Sequence, residues 1–277
     1  MDSQINSKKQ GEGHPIEKLQ IPDISKILLV SSGKGGVGKS TVAAGLAVSL
    51  ALEGYAVGLL DADIFGPSVP TLFHLTDDVR PEVEEVDGKQ MMIPFERCGI
   101  KIMSIGFFFD EKQPVIWRGP MVSNALKQLL MQTSWGKLDY LIVDTPPGTG
   151  DIMITLLQQF EVWGAVVVTT PQLVALADVQ KTISMLQDKN IGTKVLGIIE
   201  NMSWFSPVNH PEEKYFLFGK GGGKQLSLNF NLPLLTQIPI NEELGVSCDE
   251  GNLKKMFSDH QIKFAFDLLV KAVTSRL

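Results

Sequence analysis

Apolar residues along this chain fall into short unbroken runs, separated by longer stretches in which they recur at helical spacing. The runs cover residues 27–30, 56–60, 140–143, 164–168 and 195–199. A run of four or five apolar residues without alternation marks a strand covered on both faces, as in a parallel sheet. Helical spacing predicts helices over 39–53, 119–133, 151–160 and 173–189. Alternation of β and α predicts an α/β fold with a doubly wound, mostly parallel sheet and helices on both faces. Ligands of such sheets bind at the carboxyl ends of the strands. Residues 76–114 are less regular, with strand candidates at 91–93 and 100–103. The amphipathic stretch 257–273 reads as a last helix packed on the sheet. Residues 1–24 are polar, hold two prolines and read as a flexible leader, so 25–277 is expected to be a single domain.

Composition narrows the function. With 44% apolar residues the chain is rich enough for a sizeable core. Its net charge of −6 disfavours a nucleic-acid partner, which needs a basic face. No apolar run approaches the roughly 18 residues of a membrane span. The two cysteines, Cys98 and Cys248, form no disulfide framework and no C-x-x-C. A cytoplasmic location is expected.

The first apolar run leads into Ser31-Ser32-Gly33-Lys34-Gly35-Gly36-Val37-Gly38-Lys39-Ser40-Thr41. This satisfies G-x-x-x-x-G-K-[ST] between a predicted strand and a predicted helix, the context in which the motif binds nucleotide phosphates. The glycines let backbone N–H groups approach an anion at a helix N-terminus. Lys39 supplies a cation to the outer phosphates, and the Ser40 hydroxyl is a Mg²⁺ ligand candidate. Two further runs end in carboxylates. One is followed by Asp61-Ala62-Asp63-Ile64-Phe65-Gly66-Pro67-Ser68, where Asp61 and Asp63 point the same way in extended chain. Asp61 is expected in or near the metal shell, and Asp63 to position the attacking water. The other is followed by Asp144-Thr145-Pro146-Pro147-Gly148-Thr149-Gly150-Asp151, with Asp144 as the Mg²⁺ carboxylate and the Pro/Gly segment as a nucleotide switch. Asp151 reads as the N-cap of the next helix.

The second lysine of the loop, Lys34, resembles the deviant phosphate loop of MinD, ParA and nitrogenase-iron-protein ATPases. That resemblance implies that Lys34 reaches the nucleotide of a partner subunit, and so a nucleotide-dependent homodimer. The ordered set of phosphate loop, Asp61 to Ser68, Arg118-Gly119-Pro120-Met121, Asp144 to Asp151, Thr169-Thr170-Pro171-Gln172 and Glu200-Asn201-Met202-Ser203 resembles the Mrp/ApbC family of iron–sulfur cluster carrier ATPases over roughly residues 25–275. The resemblance implies ATP and Mg²⁺ as ligands. It places Asn201 against the adenine and Ile238-Pro239-Ile240, Pro239 included, near the base. It implies an iron–sulfur cluster as cargo, with apo iron–sulfur proteins or assembly factors as partners. The family's cluster ligands, a C-x-x-C between the N-M-S segment and F-G-x-G-G-G, are absent: residues 204–223 contain no cysteine. His210, Glu212 and Glu213 in that interval are harder donors than a cluster needs. The expected function is ATP hydrolysis in iron–sulfur cluster carriage or assembly. The alternative is a cluster-free, MinD/ParA-like ATPase switch that positions or docks partner proteins.

Overall fold

In the computed structural model the described residues are 18–75, 79–108, 119–188 and 193–275. The five apolar runs form β1 (Ile27–Ser32), β2 (Val57–Asp61), β7 (Tyr140–Asp144), β8 (Gly164–Thr169) and β9 (Val195–Glu200), each buried along its whole length. Three more strands complete the sheet: β5 (Phe95–Arg97), β6 (Ile100–Ser104) and β10 (Leu234–Gln237). The order is β10-β9-β8-β1-β7-β2-β6-β5, parallel except for the β5–β6 hairpin at one edge. A separate hairpin of β3 (Val83–Val86) and β4 (Lys89–Met92) is largely exposed.

The predicted helices form α1 (Lys39–Leu52), α3 (Gly119–Met131), α4 (Asp151–Gln159) and α5 (Leu173–Leu186). The short α2 (Val69–Leu72), α6 (Gly222–Phe230) and α7 (Glu242–Asp249) lack enough apolar periodicity to be read from sequence. The last helix, α8 (His260–Thr274), packs on α1 and β10, as its amphipathic pattern predicts. Its Asp259 caps it by accepting from the Gln261 and Ile262 amides.

Chain order along the sheet reverses beside β1, because β2 and β7 lie to one side and β8 to the other. The carboxyl ends of β1, β2 and β7 therefore open into one crevice. Register puts Val30 level with Asp144, and Asp144 level with Asp61, so the two carboxylates arrive side by side.

The leader differs from expectation. Residues 1–17 lie outside the described residues, but beyond them the chain is stitched to the domain. The Leu19 amide donates to Gln159 and its carbonyl accepts from Glu161; the Ser25 amide donates to Leu138. Ile21 is buried. The folded part thus takes in residues that polarity alone assigned to the leader, because two short parallel bridges satisfy their backbone.

Candidate nucleotide site

The phosphate loop is shaped by close approaches that exclude side chains. A Cβ on Gly33 would collide with the α5 backbone at Asp178 and Val179, so the loop's first residue rests directly on that helix. Gly36 and Gly38 hold φ of 79°, the left-handed region that glycine adopts without strain. Gly38 is the N-cap of α1, with no side chain capping it and no acidic residue in the first turn. The first N–H groups of α1 are left for an anion. The Asn201 side chain braces the loop from below, its Nδ2 donating to the Val37 carbonyl at 2.9 Å. Above the loop lies a cavity of about 400 Å³, lined by residues that include Lys34, Lys39, Ser40, Thr41, Asp63 and Pro147.

The three aspartates converge beneath it. Lys39 Nζ pairs with Asp144 Oδ1 at 2.6 Å and with Asp63 Oδ2 at 3.5 Å, all three side chains being buried or nearly so. Asp144 Oδ2 and Asp63 Oδ1 are buried with no partner. Asp61 is different: both its oxygens are engaged. Oδ1 accepts from the Asp63 amide, and Oδ2 from the Val69 amide and the Ser104 hydroxyl, each at 3.0–3.1 Å. Asp61 therefore shapes the turn that carries Asp63. Ser104, which the sequence reading missed, ends β6 in register with Asp61. Its hydroxyl also accepts from the Gly106 amide.

The electrostatics follow from this geometry. Three buried carboxylates face one ammonium. Burial, then the Asp144 charge, pushes the Asp61 carboxyl up to about 7, against the pull of two backbone amides and Lys39. Burial also raises Asp144 and Asp63, each opposed chiefly by Lys39. Orphaned carboxylate oxygens in a site with excess negative charge fit a divalent cation. Ser40 follows Lys39 at the start of α1, opposes the rise of the Asp144 pKa and offers a hydroxyl to that donor set.

The remaining predicted residues fall around this centre. Lys34 is half-exposed, with Nζ 3.4 Å from Gln172 Oε1. Gln172 precedes α5, and nothing in its local sequence marks it for this contact. The segment 145–148 is tied to the phosphate strand, since Thr145 donates to Val30 and the Gly148 amide to Ser32 at 2.7 Å. Asp151 is the first residue of α4 and Gly150 its N-cap, so Asp151 acts on the helix dipole rather than as the cap. Pro239 is buried in a segment held to residues 203–205 by the Ser203 and Ile240 amides. Glu200, quoted in a motif but given no role from the sequence, is buried and joins three elements: from β9 it accepts from the Gly223 amide at the start of α6 and from Gln237 Nε2 on β10. Arg118 lies outside the described residues. Cys98 sits in the β5–β6 turn and Cys248 on α7, both as free thiols. Burial raises the Cys248 thiol pKa, opposed by a hydrogen bond with Thr41.

Residues 23–274 match the model of a ParA family described as NUBPL iron-transfer P-loop NTPase. The chain belongs to this family. It is 49% identical over 259 residues to an iron-sulfur cluster carrier protein of Aquifex aeolicus, covering 93% of this chain and 69% of that protein. It is 44% identical to the iron-sulfur cluster transfer protein NUBPL of Dictyostelium discoideum, covering 87% and 74%. Among solved structures it resembles a nucleotide-binding protein from Archaeoglobus fulgidus in complex with ADP, with TM-score 0.73, 39% identity and coverage of 88% and 93%. The Pyrococcus furiosus cell division ATPase MinD, at TM-score 0.62 and 19% identity over 91% of this chain and 100% of that one, shares the fold. The family thus agrees with the resemblance read from the motifs, and the fold with the doubly wound sheet read from the runs.

The raised Asp61 has a measurable consequence. Its carboxyl titrates near 7 in the folded chain against an ordinary 3.8, so between these values the folded state binds more protons than the unfolded state. Its contribution to stability is therefore lost as pH rises from about 4 to about 7 and is level above that. Urea midpoints of the nucleotide-free protein are expected to fall across this window, and Asp61→Asn to flatten the fall. An unchanged slope in the variant counts against the assignment.

Proposed function

We propose that this chain is a Mg-ATP-dependent ATPase of iron–sulfur cluster transfer that works as a nucleotide-dependent homodimer. The observation that carries the reading is Lys39 held between Asp144 and Asp63 under an open phosphate loop, with one oxygen of each carboxylate unpartnered. Residues 33–41, from Gly33 to Thr41, would cradle the phosphates. On nucleotide binding Lys39 exchanges its carboxylates for phosphate oxygens, an exchange of one buried ion pair for another. Ser40 and Asp144 would hold Mg²⁺, with Asp61 ordering the turn beside it. Mg²⁺, when bound, supplies neutralisation of phosphate charge. Asp63, released from Lys39, orients a water for attack on the γ-phosphorus and takes up its proton as the bond to ADP breaks. Asn201 and Pro239 are assigned to the base side of the nucleotide, Asn201 through its hold on Val37.

Lys34 is proposed to act across the dimer. One long hydrogen bond to Gln172 holds it, so it is available to swing to a partner's triphosphate. Among the described residues no helix is long and apolar enough to cross a membrane. The free thiols suit a reducing cytoplasm, the location we assign.

The cargo fits less well. Iron–sulfur clusters need thiolates. The loop after Ser203 has none, and Cys98 and Cys248 lie on separate elements. The residues of that loop do not fit a cluster. This favours a second reading, in which nucleotide turnover drives docking and release of partner proteins that hold the cluster themselves.

Lys34→Ala is expected to lower the rate of ATP hydrolysis by about 100-fold or more, roughly 3 kcal/mol of barrier, with nucleotide affinity of the monomer nearly unchanged. Unaltered turnover would remove the trans-lysine role. Asp63→Ala should accumulate an ATP-bound dimer in size-exclusion runs; normal hydrolysis by that variant would reassign the water. Anaerobic reconstitution with iron and sulfide separates the two readings of the cargo. Near-stoichiometric cluster per dimer supports carriage by the chain itself, and loss of iron on desalting supports the docking switch.

A further inference from the structure

Glu200 is a buried carboxylate that the proposed hydrolysis does not use. Its exposure is 1%, and it directly precedes Asn201, whose side chain braces the phosphate loop. Resting on the nucleotide reading above, we infer that Glu200 is a positioning residue for the nucleotide site, acting through Asn201 on the phosphate loop.

The contact being positioned has no slack. A Cβ on Gly38 would lie 2.3 Å from Asn201 Nδ2, and that nitrogen donates to the neighbouring Val37 carbonyl at 2.9 Å. The turn that sets Asn201 is itself strained. Met202 holds φ of 55°, in the left-handed region that is costly for a residue with a side chain. Such a backbone persists only where its surroundings over-determine it. Two of the constraints are backbone bonds: the Asn201 amide donates to the Thr169 carbonyl at 2.8 Å, and the Ser203 amide to the Ile238 carbonyl at 3.0 Å. Glu200 supplies the others. Its carbonyl accepts from the Ser203 hydroxyl at 2.7 Å and from the Ile238 amide at 2.9 Å. Its carboxylate accepts from the Gly223 amide and, at 2.6 Å, from Gln237 Nε2.

The carboxylate thus joins β9 to β10 and to the amino end of α6, where a carboxylate is favoured. A Cβ on Gly223 would come within 2.9 Å of it, so α6 is seated directly on Glu200. The chain leaves Glu200 through the strained turn and returns to it at Gly223. Truncating the side chain strips the Gly223 amide and Gln237 Nε2 of their partner. The turn loses its outer support, Met202 relaxes, and Asn201 withdraws from Val37.

The test is a double-mutant cycle on the full-length protein, read by steady-state ATP hydrolysis and by equilibrium binding of Mg-ADP. Glu200→Ala is expected to raise KM for ATP and Kd for ADP about tenfold, with kcat within about twofold, the pattern of lost ground-state binding. Asn201→Ala should show a similar loss, and Glu200→Ala should add less than about twofold to it, because both act on one contact. Glu200→Gln keeps an acceptor for the Gly223 amide, and Gln237 can turn its own oxygen to the new amide, so affinity within about twofold of the unmodified chain is expected. A purely structural role would lower the urea midpoint and the active fraction, hence kcat, and leave KM unmoved. Should Glu200→Ala not fold, Gln237→Ala, at an exposed side chain, carries the test with an expected rise in KM of about threefold. An unmoved KM, or losses that multiply in the double variant, overturns the role of Glu200 and leaves the nucleotide reading standing. Absence of Mg-ADP binding by the unmodified chain overturns the nucleotide reading, and this role with it.

Discussion

A single ammonium among three buried carboxylates organises this molecule. Lys39 can be buried at the mouth of a strand-end crevice only because Asp144 and Asp63 receive it. Those carboxylates are tolerable there only because a cation is present. The arrangement is unfinished: two carboxylate oxygens lack partners, and the charge count is short of positive groups. On the proposed reading, such a site recruits a divalent cation and gives up its own lysine to the phosphates. Nucleotide binding then becomes a rearrangement of charge within a fixed frame.

The frame is fixed by sheet register. Asp144 and Asp61 are neighbours on adjacent strands, and Ser104 continues the row on the next strand out. The hydrogen bonds of Asp61 run to the backbone of the turn after β2, which holds Asp63 at the crevice. On the other side, Thr145 and Gly148 are bonded to the end of β1, so the proposed switch segment and the phosphate loop share one backbone support. The two segments are thus joined directly by backbone and hydroxyl hydrogen bonds.

Much of this was legible in the sequence. The central strands announce themselves because burial on both faces demands continuous apolar residues. The phosphate loop is legible because its geometry is encoded within nine consecutive positions. Asp61 and Asp144 are legible because each directly follows an apolar run, and Asp63 because it lies two residues beyond Asp61. Ser104, Gln172 and Glu200 were not, since their roles come from the register of distant strands and the packing of one loop on another. β10 escaped because it is four residues long and owes its place to pairing with β9. Residues 19–25 escaped because polar chain bound by a few backbone bridges has the same composition as chain that is free. The missing thiols between Ser203 and Gly219 were legible.

The contact between Gly33 and α5 carries one more implication. With no side chain between them, the floor of the phosphate loop and the spine of that helix are pressed together. The helix begins beside Gln172, the residue on which Lys34 rests. Loop and helix therefore form a short mechanical lever. Its fulcrum is a bare glycine, and its free end holds the lysine proposed to cross to a second subunit. A fulcrum without compressible side chains transmits displacement without slack, so a small settling of the loop on its ligand would be felt at the helix's leading end.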